Sequence, residues 1–114
     1  MKKILFFALF LSVSIKALAG SSNISGQVSG YIVSSSGANE LFIFKLNNSV
    51  PNGCNKDGRF AIDSTSPHFK SVQSAVLASY HSQSNMKVYF QSNECTALSN
   101  SEDVLWTCIG DIPC

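Results

Sequence analysis

The chain has 114 residues, 45% hydrophobic and 13% charged, with four cysteines and a formal net charge of +1. That length holds one domain and excludes a two-domain enzyme. An aromatic share of 11% excludes a wholly disordered chain.

The chain opens MKKILFFALFLSVSIKALAG. Lys2 and Lys3 give a basic start, Ile4 to Val13 an apolar run of ten, and Ala17-Leu18-Ala19 a small-x-small cleavage site. This is the pattern of a secretory signal peptide over 1–19. The run is too short to span about 30 Å of hydrocarbon, so no membrane insertion is expected. The product is expected to be exported, periplasmic or secreted, as a single domain over 20–114.

Cleavage removes Lys2, Lys3 and Lys16, so basic residues fall from 8 to 5 against 7 acidic ones, a net charge of −2. A nucleic-acid partner is thereby excluded, because phosphate binding needs clustered Lys and Arg. Ser and Asn supply 27 of the 95 mature residues. Such a polar, weakly charged surface suits hydrogen bonding to sugars.

Residues 20–26 read as a flexible or edge-adding start. Gln27 to Ser34 predicts a strand, with Ser29, Tyr31 and Val33 on one face and Val28, Gly30 and Ile32 on the other. A turn follows over 35–39. Glu40 to Leu46 (ELFIFKL) is apolar on both faces and therefore a central strand, in a hairpin with the first. After a polar loop, Arg59 to Asp63 predicts a third strand. Ser66 is the expected helix N-cap, with Pro67 as first helical residue and the helix reaching about Gln83. Phe69, Val72, Val76, Leu77 and Tyr80 form its apolar stripe. Met86 to Gln91 alternates, with Met86, Val88 and Phe90 inward and Lys87, Tyr89 and Gln91 outward. Asp103 to Ile109 is the last strand. The order β-β-β-α-β-β predicts a mainly β fold with one helix, a small five-stranded OB-fold-like barrel. The alternative is an open antiparallel sheet with one helix packed on it.

Cys54, Cys95, Cys108 and Cys114 all follow the export signal, so two disulfides are expected. Of the three connectivities, we favour Cys54–Cys95 with Cys108–Cys114. The second closes a short C-terminal loop, and the first ties a central loop to the end of a late strand. No C-x-x-C pair suggests a metal site, and no cofactor fingerprint is present. His68 and His81 fall on the predicted helix, away from any G-x-S-x-G elbow. The chain is therefore not expected to be an enzyme. Trp106 reads as a core or interface anchor.

These segments together resemble the B subunits of the subtilase-cytotoxin and typhoid-toxin (pertussis-like) AB-type toxin family. The resemblance is carried by VSGYIV at 28–33, ELFIFK at 40–45, NGCN at 52–55, FKSVQSAVLASYHSQSNMKVYF at 69–90 and VLWTCIGDIPC at 104–114. Three features depart from it: the tryptophan-containing N-terminal stretch of the toxin subunits is missing, and two residue types differ. A family cysteine of the second strand is replaced here by Ile43-Phe44, and a tyrosine of the fourth strand by Phe90. The resemblance implies a secreted homopentamer that binds sialylated host glycans and delivers a separate catalytic A subunit. It implies a glycan site at Ser29, Gly30, Tyr31, Lys87 and Tyr89, with the Ser29 hydroxyl on the sialic-acid carboxylate. The alternative is a stand-alone periplasmic or secreted OB-fold-like interaction protein without glycan binding.

Overall fold

The computed structural model describes residues 21–114; the leader expected over 1–19 lies outside them. The elements are β1 (Ser21–Ser36), β2 (Asn39–Leu46), β3 (Arg59–Asp63), α1 (Phe69–Ser82), β4 (Asn85–Gln91) and β5 (Glu102–Ile109). The strands close into one sheet in the order β1-β2-β3-β5-β4. The β3–β5 seam is parallel and short, with Phe60 opposite Glu102 and Ala61 opposite Asp103; every other pairing is antiparallel. A closed five-stranded sheet with its helix between β3 and β4 is the OB-fold-like arrangement. The open-sheet alternative is excluded by the closure.

β1 is longer than its hydropathy suggests. Ser21–Gln27 pair with β4, while Val28–Ser36 pair with β2. The polar start is thus the strand that closes the barrel, and Ile24 is its inward contact with the core. Closure demands a close approach at Gly26, where a Cβ would lie 2.2 Å from Asn48 Oδ1. The Asn48 amide instead donates to the Ser25 carbonyl at 2.6 Å.

A register shift between Val28 and Gly30 places a β-bulge at Ser29. One extra residue reverses the alternation beyond it. Tyr31 therefore lies on the inner side with Val28, and its ring packs on Phe42 and Tyr80 at centroid distances of 5.7 and 5.4 Å. The expected grouping of Ser29 with Tyr31 and Val33 on one face is corrected accordingly.

The core is a row of aromatic rings under α1. Phe42, Phe44, Phe60 and Phe90 follow one another at 6.1, 5.6 and 5.0 Å. Phe69, Val72 and Val76 of α1 close it, with Leu77 and Tyr80 at its margin. β2 is central, as its two apolar faces predict. Its outer side chains Leu41 and Ile43 join Ala61 in a second cluster beneath Ala97 and Leu98.

The helix start differs from the expectation. Ser66, Pro67 and His68 form a turn, and α1 begins at Phe69 after His68, whose side chain makes no capping bond. Asp63 closes the preceding turn: its carbonyl accepts from Ser66 N–H at 3.1 Å and its carboxylate from Thr65 N–H at 3.1 Å, while the Ser66 carbonyl accepts from Phe69 N–H at 3.2 Å. Ser66 Oγ accepts from His68 N–H at 3.3 Å, within that turn.

The two polar loops lock together. Disulfides join Cys54 to Cys95 and Cys108 to Cys114, as favoured from the sequence. Cys54 N–H donates to Asn93 Oδ1 at 2.9 Å. That contact requires glycine at 53, where φ is +55° and a Cβ would meet Asn93 Oδ1 at 2.1 Å. Beneath it, the buried Glu102 carboxylate accepts from Asn55 Nδ2 at 2.9 Å and Asn93 N–H at 2.8 Å.

Candidate functional site: a cationic recess on the outer face of β1, β2 and β3

Strand register places side chains in rows across the outer face. Gly30 lies opposite Lys45, and Lys45 opposite Arg59. The neighbouring row is Ile32, Ile43 and Ala61. Between them lies a recess of about 350 Å³, bordered also by Ser29, Tyr31 and Phe44. One wall is apolar and the other cationic.

The bulge shapes the recess. At Gly30 a Cβ would meet nothing within 4 Å, so glycine leaves the floor open. The Ser29 hydroxyl is exposed and donates to the Lys45 carbonyl at 3.2 Å. A hydroxyl can rotate its single proton to a new acceptor while its lone pairs accept from elsewhere. Ser29 can therefore exchange this bond for one to a ligand oxygen.

Lys45 and Arg59 are like charges directly opposite each other, an arrangement that destabilises a sheet. Among the described residues the one salt bridge of the pair is from Arg59, whose guanidinium lies 3.2 Å from the Asp57 carboxylate. The Asp57 side chain is 59% exposed, so this pair adds little stability. Arg59 Nε is buried and has no hydrogen-bond partner among the described residues.

Three of the residues expected to bind glycan, Ser29, Gly30 and Tyr31, thus border one recess. Tyr31 contributes to its edge, while its ring is turned inward onto Phe42. The other two lie elsewhere. Lys87 pairs with Ser25, four residues along β1 from Ser29, a separation of roughly 13 Å at strand rise. It borders a separate depression with Cys108, Asp111 and Cys114. Tyr89 stacks on Trp106 at 4.6 Å, and its hydroxyl donates to the Cys114 carbonyl. Trp106 is on the surface, 45% exposed. Lys45 and Arg59 were absent from the expected set. The long loop at 47–58 leaves the register of β2 against β3 open in the sequence, and the structure alone sets Lys45 opposite Arg59.

Comparison with family models, with curated proteins and with solved structures gives no match.

Proposed function

We propose that this chain is an exported sugar-binding protein, the receptor-recognition B subunit of a pentameric AB-type bacterial toxin. In this reading sialylated host glycans bind the outer face of β1, and the ring carries a separate catalytic subunit. The observation that supports it most is the recess at the Ser29 bulge. It combines an exposed hydroxyl with one exchangeable bond, an open glycine floor, two cations and an apolar wall. A sialic acid offers matching parts: a carboxylate, hydroxyls and an apolar face. Export is supported by the leader pattern and by two disulfides, which persist in oxidising compartments.

The test is a glycan array probed with the purified exported protein, each sialylated glycan printed beside its desialylated counterpart. Binding confined to the sialylated members is the expected result. Equal binding to both, or none, refutes the reading.

A second reading, an interaction protein without glycan binding, is favoured by one observation. Beyond the bulge β1 has a strand partner on one side only among the described residues, and Ile32 and Val33 there are 47% and 66% exposed. Unpaired apolar edges recruit other chains. The array separates the two readings.

A further inference from the structure

We infer that Lys45 and Arg59 act as the anion-reading pair of the recess, taking a carboxylate carried on a body with an apolar face. The sugar reading above supplies one identity for that ligand; the pair itself is argued from geometry.

The first observation is the row Gly30–Lys45–Arg59. It sets two cations side by side on neighbouring strands, with open space over the third. The fold gains nothing from that juxtaposition, because opposed like charges cost stability. A carboxylate placed between them removes the repulsion and adds charge-assisted hydrogen bonds.

The second observation is Arg59 Nε, buried and without a hydrogen-bond partner among the described residues. A buried donor left unpaired is costly. Among the described residues the guanidinium is held by one exposed carboxylate, so it can re-seat on a better acceptor. Arginine's planar fork suits a carboxylate at two points. The third observation is the wall of Ile32 and Ile43 beside the cations. It favours an amphipathic organic acid over a bare inorganic ion. Lys87, which the family resemblance implies as the cation of this site, lies outside the recess.

The test is a titration of the ¹⁵N-labelled exported protein, followed at the Arg59 Nε–H and Gly30 amide signals. The probes are the methyl α-glycoside of sialic acid, phenylacetate and methyl β-galactoside. Both carboxylates are expected to move the two signals saturably, and the neutral galactoside to leave Arg59 Nε–H in place. Lys45→Gln combined with Arg59→Gln should weaken carboxylate binding at least about tenfold, the loss of one charge-assisted bond. Lys87→Gln should leave it within about twofold of the parent, having no such bond to lose.

If phenylacetate moves Arg59 Nε–H and the sialoside does not, the anion pair stands and the sugar identity fails. If the sialoside moves Lys87 and Tyr89 but not Arg59, the sugar reading stands and the pair is overturned. Silence of Arg59 Nε–H towards both carboxylates also overturns the pair. The wild-type titration decides the matter even if the double variant folds poorly.

Discussion

Ser29 is where backbone geometry and proposed chemistry meet. The bulge leaves Ser29 out of the β1–β2 register, and its hydroxyl makes an exposed bond to the Lys45 carbonyl. Ser29→Ala removes a hydrogen bond to a charged ligand group, worth roughly 1.5–3 kcal/mol. Sialoglycan affinity per site should fall about 10- to 150-fold, measured by calorimetry. Stability in urea should stay within about 0.5 kcal/mol, because the residue is exposed. Unchanged affinity would remove Ser29 from the site. Glu102 is the opposite case, 2% exposed and holding Asn55 and the Asn93 N–H from below. Glu102→Ala leaves the buried Asn55 amide and the part-buried Asn93 N–H unpaired. It should cost about 3 kcal/mol in urea unfolding, since each such orphan costs roughly 1–3. A loss under about 1 kcal/mol would mean that water satisfies both donors as well as the carboxylate does.

Among the elements, the loops at 47–58 and 92–101 depend on covalent support. The Cys54–Cys95 bridge spans 41 residues in sequence, and Cys108–Cys114 spans 6. The chain-entropy model gives about 4 kcal/mol for the long closure and about 2 for the short one. Replacing Cys54 and Cys95 by serine should therefore lower stability more than replacing Cys108 and Cys114. Paired urea titrations of the two variants check the order. The reverse order would show that the C-terminal tail, bonded through Tyr89 to the Cys114 carbonyl, matters more to β4 and β5 than its loop length implies. The β3–β5 seam has only two residue pairs, and the long bridge ties the chain just before β3 to the loop just before β5. That placement reinforces the weakest closure of the barrel.

For the whole molecule, two of the strand segments paired on one side only among the described residues offer exposed apolar edges. They are Gly30–Ser36 of β1 and Trp106–Ile109 of β5. Each carries exposed apolar side chains: Ile32 and Val33 on the first, Trp106 and Ile109 on the second. Two different edges on one chain suit a heterologous contact, which closes into a ring when the rotation permits. In the proposed pentamer each β1 edge meets a neighbour's β5 edge. Light scattering on the exported protein should give about five times the monomer mass, for one closed ring. A lysine at Val33 should lower that mass, since edge charges block strand addition. A monomer at high concentration would favour the stand-alone interaction protein.

The sequence by itself determined the element order, the two-sided burial of β2, the inward set Met86, Val88 and Phe90, and the cysteine pairing favoured here. The elements and faces rest on local periodicity, which needs no knowledge of distant neighbours; Cys108–Cys114 rests on a short loop, and Cys54–Cys95, 41 residues apart, on the placement of two polar loops. The bulge at Ser29 was not legible, because an inserted residue leaves the hydropathy of a Ser-Gly stretch unchanged. Nor was the role of Ser21–Gln27, whose polar residues become a strand only when β4 supplies partners. The helix starts at Phe69 although Ser66 Oγ still accepts from the His68 N–H, because the Ser66 carbonyl is taken by the Phe69 N–H in a tight three-residue turn ahead of the first helical bond. The separation of Lys87 and Tyr89 from Ser29, and the meeting of Ser29 with Lys45 and Arg59, were decided by tertiary structure alone. β1 changes partner from β4 to β2 at the bulge, and that exchange sets which cation shares a face with the hydroxyl.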